Sequence, residues 1–355
     1  MLVECPPDQF VANRIAATLI DWYAANARTL PWRAPPGSSA RTHAYRVWLS
    51  EVMLQQTTVA AVAPYFERFT ARWPTLADLA AADDADVLAA WAGLGYYSRA
   101  RNLIACARAV VRDHGGTFPD SEAALRALPG VGAYTAAAIA AIAFGRVAIP
   151  VDANIERVIA RLFAIDEPLP AAKRAITDAA RSIWPGERQG GDFAQALMDL
   201  GATICTARNP DCVQCPLAVD CRAREQGTAA ALPVKAAKRA KPHRHGRALW
   251  IERVSGGERS VWLVRRPDKG MLGGMRALPG GEWTEVQQAS DANARPIGTV
   301  RHVFTHFSLD LVVERADAPP AGEQPGEWWP VEKLDEAGLP TLYRRAAELA
   351  LKEGK

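Results

Sequence analysis

Cys205, Cys212, Cys215 and Cys221 fall within one short stretch, spaced C-x6-C-x2-C-x5-C. Thiolate is a soft ligand, so four in so short a span can converge on one metal centre, either zinc or an iron–sulfur cluster. Structural zinc sites usually pair two short CxxC knuckles, and only the middle pair has that spacing here. The outer gaps of six and five make a single compact loop, which favours a cubane cluster over zinc. A disulfide pair is the remaining alternative, and a reducing location disfavours it. Cys5 and Cys106 stand apart and are expected to be plain reduced residues.

A second group of residues has the chemistry of a glycosidic bond. Residues 128–136 read LPGVGAYTA, with Gly130 and Gly132 flanking Val131 between two apolar helical stretches. Such a turn lets backbone N–H groups approach a phosphate without sequence preference, although GxG alone is equally a plain helix–helix turn. Asp152 follows in IPVDANIERVIARL, after Pro150 and Val151 and before the helical face of Ile155, Val158, Ile159 and Leu162. The commonest job for Asp at such a position is to cap the helix. Beside a phosphate-gripping turn it would also face a sugar and stabilise positive charge at C1′ as a base departs. That chemistry requires a second carboxyl to protonate the leaving group. Glu51, an acid within the otherwise apolar helical run VWLSEVMLQQT, is the candidate. Burial would raise its pKa and keep the proton available; an exposed helix residue is the alternative.

Positioning these groups takes two domains, as 355 residues suggest. Residues 8 to 225 read as mostly helical, with alanine-rich segments such as 76–92 and 121–128, the latter opening on Ser121 as an N-cap. Residues 227–249 contain no acidic residue, while Lys235, Lys238, Arg239, Lys241, Arg244 and Arg247 crowd together, as in a linker that is either solvated or tracking phosphates. From 248 onward, strand-like runs appear at Ala248–Val254, Val261–Arg265 and Leu309–Val313, and a helical pattern returns near Thr341–Lys352. The expected domains are therefore 1–226, a basic linker 227–247, and an α+β domain 248–355. A net charge of +3 permits nucleic-acid binding without arguing for it. No stretch has the length of apolar sequence that a membrane span needs, and the first ten residues carry no secretory pattern. A cytoplasmic protein is expected.

WLSEVMLQQT, GLGYYSRARNL, LPGVGAYTA, VDANIERV, MDLGA and the four-cysteine loop occur in the order found in the endonuclease III superfamily. Across nearly the whole chain the sequence most resembles the adenine DNA glycosylase (MutY) family within it. The resemblance implies a mainly α helix–hairpin–helix glycosylase domain, a [4Fe-4S] cluster on Cys205, Cys212, Cys215 and Cys221, and removal of adenine mispaired with 8-oxoguanine or guanine in double-stranded DNA. A monomer that associates with the nucleoid through DNA is the corresponding expectation. By resemblance, Glu51 is the general acid and Asp152 the carboxylate that stabilises the oxocarbenium ion or attacks C1′, with Asn154 and Tyr134 supporting that carboxylate and the sugar. A base inside a duplex must be flipped out to be reached. Leu54 and Gln56 resemble the wedge that fills the gap, Tyr96 the residue that stacks near the orphaned 8-oxoguanine, and Gly130, Val131 and Gly132 the phosphate-gripping hairpin. Trp32, Arg33 and Gln195 resemble residues of the adenine pocket.

Several features depart from related sequences or bear on the C-terminal domain. Tyr134 stands where bifunctional relatives carry a Schiff-base lysine, which implies base removal without efficient strand cleavage. Ala153 replaces a frequent glycine, and the loop from Ala34 to His43 looks lengthened. RHVFTHFSLD (301–310) resembles the motif that faces 8-oxoguanine, with Thr305 and His306 in the reader loop; without the likeness, a histidine between two aromatics is more often a core residue. GMLGGMRALPG (270–280) resembles a Nudix segment, but 281–300 offer only Glu282 and Glu285 where a hydrolase needs a glutamate-rich, magnesium-holding helix. The C-terminal domain is therefore expected to be a Nudix-like recognition module with no hydrolase activity. The alternatives are a relative acting on another base, such as thymine or uracil opposite guanine, and a non-catalytic DNA-binding relative.

Overall fold

The computed structural model describes residues 9–38, 41–236, 241–267, 271–287, 294–304, 306–319 and 325–353. The chain divides into two compact units, Met1–Ala236 and Ala237–Lys355. The first is helical: α1 (Gln9–Asn26), α2 (Ala44–Leu54), α3 (Val59–Arg72), α4 (Leu76–Ala81), α5 (Asp84–Trp91), α6 (Tyr97–His114), α7 (Glu122–Arg126), α8 (Ala133–Ile142), α9 (Ala153–Leu162), α10 (Lys173–Ser182), α11 (Gly190–Thr203) and α12 (Arg222–Glu225). Side-chain caps set several of these boundaries. The helical reading of 76–92 splits in two because Thr75 and Asp78 form a capping box at the start of α4, while Asp83 accepts from Ala85 N at 2.8 Å and starts α5 afresh. Ser121 caps α7, as its type and position suggest.

Two large apolar cores lie inside the helical unit, beside a small cluster of Ala223, Ala229 and Leu232. One is built from α2 through α8 around Trp48, Phe66 and Trp91; the other joins α1, α9, α10 and α11 around Ile15, Ile159 and Phe193. Helix α8, AYTAAAIAAI, is buried almost all round, as a helix apolar on every face must be. Its small side chains let α2, α7 and α11 pack against it. Tyr134, on the first turn of α8, touches both cores. No helix among the described residues is long and apolar enough to cross a membrane.

The second unit is a sheet of order β3-β2-β1-β5-β4, with β6 paired to β2. Its strands are β1 (His243–Ser255), β2 (Glu258–Arg265), β3 (Arg276–Ala277), β4 (Arg295–Val303), β5 (Ser308–Ala316) and β6 (Gly326–Pro330), and α13 (Thr341–Glu353) covers one face against β1, β4 and β5. β1 runs parallel to β5 and antiparallel to β2; β4 runs antiparallel to β5. Residues 227–247, expected as a linker, are not uniformly one. Ala229–Ala231 form a 3-10 turn, Leu169 N donates to Val234 O at 2.8 Å, and 243–247 already pair with 308–312 of β5. That pairing partner lies more than sixty residues away, so the basic composition of 243–247 carries no sign of it. Lys238 and Arg239 fall outside the described residues. β4 escapes sequence reading for another reason: it lies at a sheet edge, only Val300 is buried, and no clean alternation marks it.

Glu314 is fully buried on β5, where Arg247 Nε donates to its Oε2 at 2.7 Å and its Oε1 has no hydrogen-bond partner. Removing one partner of a buried pair strands the other charge. Arg247→Ala is therefore expected to destabilise the β-rich unit by about 3–5 kcal/mol. The denaturation midpoint of that unit checks this, and Arg247→Leu/Glu314→Leu should recover most of the loss.

Candidate active site and iron–sulfur loop

Each half of the helical unit supplies one carboxyl. Glu51 lies on the buried side of α2, 7% exposed, among Trp48, Val52 and Met53. Burial pushes its carboxyl up to about 7; the hydrogen bond with Tyr134 opposes the rise, the charge of Asp152 adds to it and Arg33 opposes it. Tyr134, drawn into the same electrostatic field, has its own phenol held well above 10 by burial and by Glu51 and Asp152. The sequence-identified Glu51, Tyr134 and Asp152 thus meet in one place, with Arg33 facing them.

Asp152 is the N-cap of α9, in extended backbone geometry. Its Oδ1 accepts from Asn154 N at 3.0 Å and Ile155 N at 2.8 Å, and its Oδ2 accepts from Asn154 Nδ2 at 2.8 Å. Burial raises its pKa, while these three donors and the charge of Arg157 oppose the rise. Capping and chemistry are therefore compatible, since the helix N-terminus is itself a ready site for a negative charge. Ala153 has no left-handed backbone to demand glycine, so its departure from the family is harmless.

Arg157, which the sequence reading passed over, extends this arrangement. Its Nη2 donates to Asn154 Oδ1 at 2.9 Å and to Gly201 O at 2.5 Å, and its Nε donates to Cys205 O at 2.7 Å. A side chain at Gly201 could not fit, because its Cβ would lie 2.6 Å from Asn154 Cβ. The first cysteine of the loop is thereby tied to the residue that orients Asp152. Arg161, 1% exposed, donates to Thr206 O at 2.7 Å, Leu232 O at 3.0 Å and Cys205 Sγ at 3.3 Å.

Cys205, Cys212, Cys215 and Cys221 line one concavity with Arg161 and Ile204. Among the described residues no three His, Cys, Asp or Glu side chains close around a single ion. Four thiols around one concavity are the donor set that an iron–sulfur cluster takes. Burial pushes the Cys215 thiol up to about 12 and raises that of Cys221, so cluster assembly must displace their protons.

Arg33 Nη1 donates to Asp199 Oδ2 at 2.7 Å, and Arg28 holds the same carboxylate through its Nε at 2.7 Å and its backbone N at 3.0 Å. Burial favours the neutral acid at Asp199, but the hydrogen bonds and charges of Arg33 and Arg28 hold its pKa below the usual range. Asp199 is a site residue missed from sequence, though its signal matched that of Glu51: a lone acid in an apolar helix, FAQALMDLGA. Gln195 lies one turn earlier on α11, buried, with its amide donating to Gly191 O at 3.3 Å. Trp32 is core, packed edge-to-face on Phe66 at 5.4 Å. Leu54 ends α2 and Gln56 lies in the turn that follows, exposed at φ 56°. Tyr96 is 56% exposed at φ 48°. Gly130 takes φ 71°, Val131 is buried and Gly132 caps α8. In the β-rich unit His306 is exposed, while Thr305 lies outside the described residues. Phe304 and Phe307 pack together at 4.8 Å and on Trp283 at 5.4 and 6.0 Å. Residues 281–287, around Glu282 and Glu285, form no helix.

Residues 49–185 match the model of the HhH-GPD superfamily of base excision DNA repair proteins, and 205–221 match the iron–sulfur binding domain of endonuclease III. Residues 249–349 match the NUDIX domain. The helical unit is thus a helix–hairpin–helix DNA N-glycosylase that carries an iron–sulfur cluster on its four-cysteine loop. The chain is 33% identical to the human adenine DNA glycosylase, over 92% of this chain and 72% of that one. It is 41% identical to the adenine DNA glycosylase of Mycolicibacterium smegmatis, over 59% of this chain and 69% of that one. A thermostable thymine-DNA glycosylase structure superposes with TM-score 0.54 at 30% identity, over 62% of this chain and all of that one. The chain belongs to the adenine DNA glycosylase family.

The raised pKa of Glu51 has a stability consequence of definite sign. Its folded-state value, about 7, lies above the ordinary 4.5, so its contribution favours folding below 4.5 and is lost as pH rises through 7. Glu51→Gln, which keeps the shape without the charge, should therefore be more stable than wild type at about pH 8.5, by up to about 3 kcal/mol. The gap should narrow towards about pH 5.5, as melting curves at the two pH values would show.

Proposed function

We propose that this protein removes adenine mispaired with 8-oxoguanine or guanine in duplex DNA, as a monofunctional and monomeric glycosylase. The observation that carries the reading is the meeting of Glu51, Tyr134 and Asp152 in one site. Two carboxyls share one buried site with unequal hydrogen bonding: three donors and Arg157 at Asp152, and chiefly the Tyr134 hydroxyl at Glu51. Environments that separate the pKa values of two acids divide their roles into proton donor and anion.

Backbone N–H groups of the Gly130–Gly132 hairpin grip phosphate, and the target adenine is extruded with Leu54 and Gln56 filling its place and Tyr96 stacking near the orphaned base. Arg33, held by Asp199, and Gln195 line the pocket that receives the adenine, next to Trp32. Glu51 protonates the adenine ring and weakens the glycosidic bond. As that bond breaks, Asp152, oriented by Asn154, faces C1′ and stabilises or captures the cationic sugar. Tyr134 holds Glu51 and offers no amine, so no Schiff base forms and the strand stays intact. A cluster held by Cys205, Cys212, Cys215 and Cys221 would cross-link this loop, whose Cys205 carbonyl accepts from Arg157 Nε. In the β-rich unit, residues 301–310 supply the reader of 8-oxoguanine, with Thr305 and His306 at the purine edge and Phe304 and Phe307 backed by Trp283. The boundaries proposed for these roles are 1–226 for catalysis and 248–355 for recognition, and the site of action is the nucleoid.

Asp152→Asn retains a good helix cap and removes the charge. Single-turnover adenine release opposite 8-oxoguanine is expected to fall roughly 10³-fold or more, while duplex Kd changes less than about threefold. Wild-type product should be cleaved only after alkali. Loss of binding in Asp152→Asn would reassign the residue to structure, and thymine release opposite guanine by wild type would move the protein towards the thymine-DNA glycosylases. For the reader loop, Thr305→Ala/His306→Ala should narrow the preference for adenine opposite 8-oxoguanine over adenine opposite guanine by about tenfold, and an unchanged ratio would remove the loop from recognition.

A further inference from the structure

We infer that Arg99 is a positioning residue that fixes the spacing of the two loops that enter the duplex, an inference resting on the wedge reading of Leu54, Gln56 and Tyr96. Arg99 sits on the first turn of α6 and is only 8% exposed. Its Nη1 donates to Val52 O and Met53 O, both at 3.0 Å. These are carbonyls of the last turn of α2, which lack intrahelical partners and carry the negative end of the helix dipole. Its Nη2 reaches across to Thr57 Oγ1 at 3.2 Å and Leu94 O at 3.0 Å. The same guanidinium lies 5.2 Å from the Trp91 ring centroid and 5.7 Å from that of Tyr96.

One buried cation therefore joins the loop 54–57 to the loop 94–96. Its hydrogen-bond partners among the described residues are all neutral oxygens, so no carboxylate accounts for its burial. Each loop also holds a non-glycine residue in left-handed backbone, Gln56 at φ 56° and Tyr96 at φ 48°. Such strain persists only where the surroundings over-determine it. Both residues are exposed while the backbone beneath them is anchored by Arg99. One turn further along the same face of α6, Asn102 abuts the hairpin so closely that a Cβ at Gly130 would lie 2.6 Å from Asn102 Cβ. A single helix face thus registers the wedge, the stacking loop and the phosphate-gripping turn. Lysine could not replace Arg99, because one ammonium cannot span acceptors on two loops as a planar fork does.

The test uses the full-length, iron-loaded protein and a duplex carrying 2-aminopurine at the target position opposite 8-oxoguanine, so that emission reports extrusion. Adenine release is followed in single turnover on the matching adenine duplex. Arg99→Lys is expected to lower both extrusion and adenine release by about tenfold, while duplex Kd stays within about threefold. Because Arg99 acts through the wedge, Arg99→Lys/Gln56→Ala should extrude no worse than Gln56→Ala. Thr57→Val, which removes one acceptor and keeps the side-chain shape, should show the same signature more weakly, and it decides the matter if Arg99→Lys loses iron or fold. Additive losses in the double variant, or parallel losses of binding, extrusion and melting temperature in Thr57→Val, would make Arg99 merely structural and overturn the inference. Unchanged extrusion in Gln56→Ala overturns the wedge reading itself, and the inference with it.

Discussion

Asp152 caps α9, and the geometry of the candidate site rests on that interaction. Its two oxygens take three hydrogen bonds, two of them from the free N–H groups that begin α9 and one from Asn154. A helix N-terminus can supply these donors only if the helix is held rigidly, and α9 is held by burying Ile155, Val158 and Ile159 in the second core. Glu51 experiences the opposite regime. It sits in the apolar interior of the first core with chiefly one phenol to support its charge, so the proton stays with it up to about 7. Unequal donor supply, with Glu51 the more buried of the two, is thus the physical basis of the division of labour proposed for the two acids.

The iron–sulfur loop belongs to the same constraint rather than to a separate module. Arg157 links Asn154 to the carbonyls of Gly201 and Cys205, and Arg161 links the body of α9 to Cys205 Sγ and Thr206 O. Two buried or half-buried arginines on one helix, with lone-pair acceptors along the loop, would be costly without those acceptors in place. A loop cross-linked through four thiolates keeps them in place. On the α8 side, a run of alanines lets neighbouring helices approach closely enough that Tyr134 reaches both cores.

The β-rich unit follows different physics. Its parallel β1–β5 pairing is buried under α13, and Arg247 and Glu314 form an ion pair within it. The aromatic group of Trp283, Phe304 and Phe307 gathers at the end of β4 and the start of β5, with Arg266 lying 4.6 Å over Trp283. Residues that in a hydrolase would form a glutamate-bearing helix here include a non-helical stretch, 281–287, that carries Trp283. The scaffold is shared with the NUDIX domain.

Much of this was legible in the residues alone, wherever the determining physics is local. The cysteine spacing, the Asp that caps a helix, the GVG turn and the acid in an apolar helix all announce themselves within a dozen residues. Ser121 as a cap and the start of α13 near Thr341 were legible for the same reason. Tertiary structure alone decided what depends on partners far away in sequence. Asp199 looked like any helix acid until Arg28 and Arg33, more than 160 residues earlier, closed on it. Arg157 and Arg99 are arginines on helices whose meaning lies wholly in which carbonyls they meet. β4 and the first residues of β1 have no apolar alternation, because hydrogen bonding to β5, not side-chain burial, makes them strands. Spacing along the chain sets which groups can act as caps, turns and ligands; only folding sets which of them share a dielectric environment, and that decides their protonation and their chemistry.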